Sequence, residues 1–416
     1  MTTGGEDGWR HEAPHVLAAL LRRSGDFGAC EDAVQEALLA AAVQWPRDGA
    51  PDKPRAWLVR VASRRLIDAR RRDDAEAARL DRVTAQSRLH EATAPSAEEV
   101  ASTPGGDDTL AMLLLCAHPA LTETSRVALT LRAVSGLSTR QIAALLFAPE
   151  ATVAQRISRA KATIRDAGLG GTDSPAAELA TRLHAVRYVL YLTFTAGYAA
   201  ATGPDLMDVE LATEAIWMTE QLRRAVPDDT ETAGLLALML LTHARAEART
   251  DAHGDLVPLP QQDRSRWDLE LVRRGVALVE AALPRGEVGP FQLQAAIAAV
   301  HAGARRAEET DWLQITMLYR MLDRIAPSPT VTLNLAVAVG MAHGPEAGIA
   351  ALQPLLDDPA QRTNHRLYAA HAHLLERAGR HGPASEIFTR AAELATSTPE
   401  QRYLNAKAAA ARTASS

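Results

Sequence analysis

The chain has 416 residues and a net charge of −6, with 47% apolar and 23% charged residues. This length predicts more than one domain, and the composition is that of a globular protein and not of a disordered one. Aromatic residues make up 4% of the chain, and the abundance of Ala, Leu and Arg favours helices. The negative charge excludes a protein coated with nucleic acid along its whole length, although local arginine clusters can still bind DNA.

Cysteine usage and hydropathy predict a cytoplasmic protein. The two cysteines, Cys30 and Cys116, are far apart in the sequence, which does not suit a disulfide framework. The first residues, MTTGGEDGWRHEAPH, lack the basic segment and following apolar segment of a signal peptide. No run approaches the roughly 20 apolar residues of a membrane-spanning helix. We therefore expect no membrane partner.

Breaks in the helical pattern predict an all-α chain with two small domains and a long extension. Residues 9–73 have apolar positions at three- and four-residue spacing, which indicates helices. Residues 74–107 end in a stretch rich in Pro, Gly, Ser and acidic residues, and are predicted to be a flexible linker. A second helical domain is predicted over 108–167. After the break at 168–175, a helical array is predicted over 176–412.

The last third of this array has a pattern typical of tetratricopeptide repeats. Between Tyr368 and Ala391, large and small apolar residues alternate at positions where two helices of one repeat would cross. The predicted packing residues are Tyr368, Ala372, Leu375, Ala384, Phe388 and Ala391. The segment 328–356 has a similar helix-turn-helix spacing but matches the repeat pattern less well.

The segment PRAWLVRVASRRLIDARRR, residues 54–72, predicts a strongly basic helix. Trp57, Val61, Leu66 and Ala69 can face a core, while arginines occupy the outer face. Such a charge density suits the phosphate backbone of DNA, where each neutralised phosphate releases counterions. The alternative is an arginine face that serves only to contact solvent. Just upstream, the segment EDAVQEALLAAAVQWP, residues 31–46, predicts an amphipathic helix with a polar side suited to a protein partner.

Residues 121–168 predict a helix-turn-helix. Gly136 ends one helix, Ser138 or Thr139 can cap the next, and residues 147–149 form a tight turn. The second helix buries Val153, Ile157 and Ile164 and presents Gln, Arg, Ser and Thr outward. Arg and Gln can make paired hydrogen bonds to base edges in the major groove, so this helix is predicted to read DNA. The alternative is a purely structural helical hairpin.

Together these segments resemble the sigma-70 family of RNA polymerase sigma factors, and specifically its extracytoplasmic-function group. The resemblance implies that residues 9–73 are sigma domain 2 and residues 108–167 are sigma domain 4. It implies core RNA polymerase and promoter DNA as partners, with contacts to the β′ clamp helices and the β flap. The implied polymerase-binding residues are Asp32, Gln35 and Glu36.

The resemblance also assigns the two DNA contacts. For capture and melting of the −10 element it implies Trp57, Arg60, Arg64, Arg65, Arg70 and Arg71. For the −35 element, the residues implied to face bases are Gln155, Ser158 and Arg159, and those implied to face phosphates are Thr152, Arg156 and Lys161.

Several segments beyond residue 175 resemble the subgroup of these factors that has a tetratricopeptide-like C-terminal extension. They include VPLPQQDRSRWD (257–268) and TDWLQITMLYRML (310–322). The resemblance implies an extension that modulates sigma activity from within the same chain, with a protein or small-molecule regulator as a candidate partner. The subgroup commonly has two adjacent cysteines where Cys116 and Ala117 stand, which weakens any thiol-sensing hypothesis at that position.

The segment QQDRSRWD supplies a candidate regulatory motif. Its members are Asp263, Arg264, Arg266, Trp267 and Asp268. The motif is either a ligand or peptide pocket of the array or, in the reading we favour, a helix start in which Asp263 is the cap, Trp267 is packed in the core and Arg264 pairs with Asp268 on the surface.

No motif in the chain indicates an enzyme. No nucleophile–base pair, phosphate loop or metal-ligand spacing is present in the sequence, so we predict no catalytic residue, metal or cofactor. His301 near Trp312, and Cys116 near His118, are predicted to be packing residues. Two other classes of protein stay open: a helix-turn-helix regulator that works without polymerase, and a tetratricopeptide-type scaffold or enzyme that the N-terminal domains merely tether.

Overall fold

The computed structural model describes residues 12–80, 105–146, 148–167, 176–198, 206–207 and 209–415. The chain divides into two compact units, Met1–Leu192 and Thr193–Ser416. The described residues form helices and no named strands; one isolated bridge joins Thr250 and Leu256. The predicted all-α class is therefore confirmed. Among these residues, no helix combines the length and apolar character that crossing a bilayer requires.

The first bundle consists of three helices: α1 Ala13–Ser24, α2 Phe27–Asp48 and α3 Pro54–Leu80. Gly25 adopts the left-handed conformation that ends α1, with φ of 69°. Asp26 then caps α2 by accepting a hydrogen bond from the Ala29 amide at 3.1 Å. The three helices bury Leu17, Leu58 and other apolar residues between them. The core of the first bundle thus holds the basic helix α3 in place.

Helix α3 is longer than the sequence pattern predicted. It continues to Leu80, past residue 73, where we placed the end of the domain. The added segment DAEAARL is rich in Ala, Glu and Arg, which are strong helix formers. The start of the predicted linker is therefore helical. Residues 81–104 of the predicted linker lie outside the described residues.

The second bundle consists of four helices: α4 Gly105–Cys116, α5 Glu123–Ala133, α6 Thr139–Leu145 and α7 Glu150–Asp166. Thr122 caps α5, since its Oγ1 accepts a hydrogen bond from the Ser125 amide at 3.3 Å. Helix α4 packs against α1 as well as α5, and α7 packs against α2. The two bundles therefore contact each other at two places within the first compact unit.

The rest of the chain is a series of helices, most of which pack on their neighbours in sequence. They are α8 Ala176–Tyr198, α9 Val209–Ala225, α10 Thr230–His243, α11 Leu269–Ala282, α12 Pro290–Gly303, α13 Trp312–Ile325, α14 Pro329–His343, α15 Pro345–Asp357, α16 His365–Arg377, α17 His381–Leu394 and α18 Thr398–Ser415. The boundary between the two compact units falls within α8.

The tetratricopeptide-like pattern near the end of the chain correctly identifies a core. Ala372 and Leu375 of α16 pack in one cluster with Ala384, Phe388 and Ala391 of α17, and Tyr368 packs at its edge. Phe388 is fully buried. The small residues let the two helices approach, and the large ones fill the space between them.

Helices α14 and α15, from the more weakly matching segment, approach each other more closely still. A Cβ atom added at Gly348 would lie 2.7 Å from the Gly340 Cα and 3.0 Å from the Ala336 carbonyl oxygen. Both contacts are with backbone, which cannot rotate away as a side chain can. This crossing therefore requires glycine at position 348.

We predict that Gly348→Ala lowers the free energy of unfolding of the second unit by about 1–3 kcal/mol, because the helices must move apart to admit a methyl group. Urea unfolding of the full chain, followed by circular dichroism, measures this loss. The matched control is Gly303→Ala in α12, where an added Cβ meets nothing within 4 Å. Equal free energies of unfolding for the two variants would mean that α14 and α15 leave room for a methyl group at position 348.

Candidate DNA and polymerase interface

The helix-turn-helix forms as the sequence predicts, with α6 as the first helix and α7 as the second. Ser138 and Gln141 form a capping box at the start of α6. The Gln141 amide donates to the Ser138 Oγ at 3.3 Å, and the Ser138 amide donates to the Gln141 Oε1 at 2.9 Å. Of the turn residues, Phe147 lies outside the described ones. Val153, Ile157 and Ile164 of α7 are buried, as predicted.

The outer face of α7 carries the residues that were predicted to face bases. Gln155, Ser158 and Arg159 are exposed, and Thr152 and Arg156 are half-buried. An exposed guanidinium and an exposed amide on one helix can form paired hydrogen bonds to base edges. The three residues predicted to face bases are therefore accessible on one helix. Lys161, which was predicted to face a phosphate, instead pairs with carboxylates of α2.

The basic helix α3 exposes its arginines and buries the opposite face. Arg60, Arg64 and Arg71 are exposed, whereas nothing is described for the Arg70 side chain. The buried face of α3 is made of other residues than those we predicted. Leu66 is buried as expected, but Trp57, Val61 and Ala69 are half-buried, and the core positions are Leu58, Val59, Ala62 and Leu66.

Trp57 and Arg65 of α3 have partners within the first bundle. The ring of Trp57 meets that of Trp45 in α2 edge-on, with centroids 5.3 Å apart. The Arg65 Nε lies 3.4 Å from a carboxylate oxygen of Glu36. This pair is half-exposed, so it contributes little stability. Arg60 and Arg64 are thus the clearest candidates for contact with DNA phosphates.

The polar side of α2 is partly covered, which the sequence did not predict. Asp32 and Glu36 are exposed, but Gln35 is buried, with 5% of its surface accessible. The Gln35 Nε2 donates a hydrogen bond to the carbonyl oxygen of Arg132 in α5, at 3.0 Å. The expectation of an open surface at Gln35 is therefore wrong for this conformation, because the second bundle lies over it.

Four charged residues join the two bundles at this place, and we call them the interbundle ion cluster: Glu31, Asp32, Arg132 and Lys161. The Arg132 Nε lies 2.7 Å from a Glu31 carboxylate oxygen. The Lys161 Nζ pairs with the other Glu31 oxygen and lies 2.7 Å from Asp32. Glu31 is fully buried, while the Asp32 side chain is 65% exposed. Both partners of the buried carboxylate come from the second bundle.

A second polar contact joins the bundles at the start of α4. The Asp108 carboxylate lies 2.6 Å from Arg22 and 3.6 Å from His15, both in α1. Burial of Asp108 raises its pKa, but the hydrogen bonds from His15 and Arg22 and the charge of Arg22 outweigh burial, so the net pKa is lowered. Asp108 is therefore held as a carboxylate between the bundles.

Cys116 is a poor candidate for redox sensing in this conformation. It is fully buried at the end of α4, and neither it nor Cys30 is in a disulfide. Burial, and to a smaller extent the charge of Glu31, raise the pKa of the Cys116 thiol. A thiol that holds its proton is a weak nucleophile. His118 closes the following turn, with its Nδ1 accepting a hydrogen bond from the Ala120 amide at 3.1 Å.

The C-terminal motif mainly builds a helix start. Asp263 accepts hydrogen bonds from the Ser265 amide at 2.9 Å and the Ser265 hydroxyl at 2.7 Å. Asp268 caps α11 by accepting from the amides of Glu270 and Leu271 at 2.9 and 3.0 Å. Trp267 is buried, with 5% of its surface accessible. Asp263 and Trp267 behave as predicted, whereas Asp268, which was predicted to pair with Arg264, is instead the cap of α11.

The predicted surface pair of Arg264 and Asp268 is wrong. Arg264 instead donates to the carbonyl oxygens of His301 and Ala304, at 2.7 and 2.6 Å, and lies over the ring of Trp267. It therefore satisfies the carbonyls at the end of α12 and not a carboxylate. Arg266 makes a longer hydrogen bond, 3.4 Å, to the Thr250 carbonyl.

His301 sits beside this arginine as a packed, uncharged ring. Its ring meets that of Trp312 edge-on, with centroids 5.2 Å apart. Burial, together with the charges of Arg245 and Arg264, lowers the pKa of His301 to about 4. Over the part of the chain that the structure describes, no three His, Cys, Asp or Glu side chains are grouped so that they could hold a metal ion.

Comparison with known proteins agrees with this geometry. Residues 9–76 match sigma-70 region 2, and residues 111–164 match sigma-70 region 4. Residues 182–283 match a family of unknown function (DUF6596). The chain is also 42% identical over 393 residues to an uncharacterized protein of Rhizobium meliloti (strain 1021). The alignment covers 94% of this chain and 92% of that protein. No solved structure matches the chain.

The two matched regions coincide with the two bundles. Region 2 contains the basic helix α3 and the polar side of α2, and region 4 contains the helix-turn-helix with its exposed Gln155 and Arg159. The chain therefore belongs to the sigma-70 family of RNA polymerase sigma factors and carries a helical extension behind region 4.

Proposed function

We propose that this protein is a sigma factor of the extracytoplasmic-function type, which directs core RNA polymerase to specific promoters and supports transcription initiation. The observation that carries the proposal is the exposed face of α7, with Gln155, Ser158 and Arg159, in a bundle that matches region 4. Sigma-70 family proteins are initiation factors and not enzymes. The protein accordingly acts by binding and positioning, in the cytoplasm, where polymerase and DNA are found.

In this proposal the first bundle, residues 9–73, binds polymerase and the −10 element. Asp32, Gln35 and Glu36 contact the β′ clamp helices, because their side of α2 is polar and acidic. Arg60 and Arg64 bind phosphates near the −10 element. Strand separation follows from capture of flipped bases together with polymerase, since the first bundle alone has too little surface to offset the loss of several stacked bases.

The second bundle, residues 108–167, then places α7 in the major groove of the −35 element and contacts the β flap. Gln155, Ser158 and Arg159 read bases, while Thr152, Arg156 and Lys161 hold phosphates. The predicted linker, of which the part between α3 and α4 is left, lets the two bundles reach separate promoter elements.

The extension, residues 176–412, modulates these activities from within the same chain. Arrays of short helices bind protein or small-molecule partners along extended surfaces. In this chain the motif at Asp263–Asp268 stabilises the array, since Trp267 is buried and Asp263 and Asp268 are caps. A regulator would therefore bind a surface elsewhere on the extension.

A second candidate function is a helix-turn-helix regulator that binds duplex DNA without polymerase. The exposed residues of α7 fit both functions, but the match of residues 9–76 to sigma-70 region 2 favours the first. Retention of purified core polymerase on the immobilised full chain separates the two, because the second candidate predicts no retention.

We predict that Arg159→Ala lowers promoter selectivity by about 1–3 kcal/mol, because the guanidinium reads a base. The matched control is Arg156→Ala on the same helix, which should weaken binding to all sequences alike and lower the salt dependence by about one counterion. Holoenzyme binding to promoters that differ at single −35 positions measures both effects. A selectivity loss in Arg156→Ala, with none in Arg159→Ala, would reverse the two assignments.

We predict that the double variant Arg60→Ala, Arg64→Ala lowers the slope of log K against log salt by about 2 for promoter binding by holoenzyme. Open-complex formation should be impaired on duplex promoters and largely restored on a template already melted at −10. Arg55→Gln is the control, since Arg55 lies on the same helix but pairs with Glu12 at 2.5 Å. An equal defect on duplex and melted templates would argue against a role in strand separation.

We predict that a chain ending at residue 175 differs from the full chain by about fivefold or more in run-off transcription with core polymerase, which is a typical allosteric coupling. A second chain, ending at residue 205, keeps α8 and separates loss of that helix from loss of the array. Identical transcription by all three proteins would rule out modulation by the extension.

A further inference from the structure

Three arginines of the second compact unit gather around two aromatic side chains, and we call them the arginine cluster: Arg245, Arg249 and Arg264. The Arg245 Nη2 donates a hydrogen bond to the Tyr198 hydroxyl at 3.0 Å. The Arg249 guanidinium lies over the Tyr198 ring, 3.7 Å from its centroid. The ring centroid of Trp267 lies 5.9 Å from the Arg245 Cζ and 4.6 Å from the Arg264 Cζ. Arg245 therefore contacts both aromatic groups.

In the part of the chain that the structure describes, no carboxylate pairs with any arginine of the cluster. Their hydrogen bonds go to neutral oxygens: the Tyr198 hydroxyl, the Tyr198 carbonyl, and the two carbonyls at the end of α12. By contrast, Arg274 of the same unit lies 2.6 Å from a carboxylate oxygen of Glu220. The arginine cluster thus carries positive charge that has no counter-charge beside it.

This surplus charge is unfavourable because part of it is buried. Arg249 is 9% exposed. Burial lowers the pKa of Arg249, and the charge of Arg245 adds to burial, so that the net pKa is lowered although Tyr198 and Glu400 act in the opposite direction. Burial and the charge of Arg245 also lower the pKa of Arg264. An anion that reaches the cluster would offset both the burial of the charges and their mutual repulsion.

The cluster also offers hydrogen-bond donors that no protein group uses. Arg245 and Arg249 each donate from one described nitrogen, whereas a guanidinium has five N–H donors. The Trp267 Nε1 is buried and has no hydrogen-bond partner, which is uncommon for a buried donor. The unused groups are donors, and an anion supplies only acceptors. The chemistry of the cluster is therefore that of an anion site.

Access and charge define the class of anion. Arg249 is too deeply buried for the backbone of a DNA duplex to reach it, so the ligand is a small molecule. Arg245 and Arg249 lie on opposite parts of one tyrosine, its hydroxyl and its carbonyl and ring. A phosphate group directs its oxygens in several directions from one centre and carries up to two charges, so it can accept from two guanidinium forks at once.

We propose that Arg245 and Arg249 bind the phosphate group of a small phosphorylated molecule, with Arg264 adding positive charge. This inference deepens the proposed function, because it names the class of small-molecule regulator that the extension binds, and its regulatory part rests on that function. The two binding arginines lie outside the motif at Asp263–Asp268, which stays structural.

The position of the site gives binding a consequence for the array. The segment that carries Arg249 also carries Asp255, which lies 3.3 Å from Arg402 of α18. The charge of Glu400, also in α18, acts on Arg249. The site thus lies where the segment after α10 meets the last helix. A phosphate bound at Arg249 would stabilise this meeting of an early and a late part of the array.

The binding test uses the full-length chain without polymerase, titrated with inorganic phosphate and with pyrophosphate at fixed ionic strength in a calorimeter. Arg245→Gln removes one guanidinium, and Arg249→Lys keeps the charge but loses the fork. Each should weaken phosphate binding about tenfold or more, since a hydrogen bond to a charged group is lost. The matched control is Arg274→Gln, which should bind like the parent chain. Circular dichroism establishes that each variant keeps its helices.

Other results of the titration contradict the site. Absence of saturable binding to the parent chain, or equal binding by all these proteins, would overturn it. Loss of binding in the double variant Arg60→Ala, Arg64→Ala, with none in Arg245→Gln, would place the anion on the basic helix α3 instead. Succinate that binds as tightly as phosphate would overturn the choice of phosphate over a dicarboxylate.

The regulatory part is tested by the affinity for purified core polymerase, with and without inorganic phosphate. Phosphate should change the affinity of the parent chain by about fivefold or more and leave that of Arg245→Gln unchanged. Phosphate binding without any change in polymerase affinity would contradict a regulatory role. If no protein binds core polymerase, the sigma-factor proposal fails, while the calorimetry still decides whether the anion site exists.

Discussion

The buried carboxylate of Glu31 is the constraint on which the arrangement of the N-terminal half depends. A carboxylate without access to water is stable only when it is paired and hydrogen-bonded, and removal of one partner of such a pair is costly. Arg132 supplies a hydrogen bond and Lys161 a second positive charge, both from the other bundle, at positions about a hundred residues or more further along the chain. The exposed pair of Arg65 and Glu36 shows the contrast, since it lies within one bundle and contributes little. The contact between the two bundles therefore depends on the pairing of buried Glu31 with residues of the second bundle.

The C-terminal unit is held together by different means. Its helices are short, so each leaves several backbone groups that need partners at its ends. Asp268 supplies two acceptor contacts at the start of α11, and Arg264 supplies two donor contacts to carbonyls at the end of α12. Close crossings such as Gly340 with Gly348 complete the packing. These side chains serve the shape of the array, which explains how a charged, aromatic motif can be structural.

Much of the fold could be predicted from the sequence because it rests on local patterns. The helix-turn-helix core at Val153, Ile157 and Ile164 follows from helical periodicity, and so does the cluster around Phe388. What failed depends on contacts between distant segments. Gln35 is polar and was expected on the surface, yet it donates to a carbonyl 97 residues away. Arg264 was expected to pair with a carboxylate four residues on, but a helix end 37 residues away offered two acceptors. Charge pattern alone does not specify such partners.

The proposed function requires the two bundles to bind separate promoter elements, although they contact each other in this structure. The most direct test is energy transfer between dyes in α2 and after α7 of the parent chain, followed as core polymerase and then promoter DNA are added. We expect high transfer in the free chain and low transfer in the holoenzyme bound to a promoter. High transfer that persists in a transcribing holoenzyme would contradict the proposed function, because the bundles could not then reach separate elements.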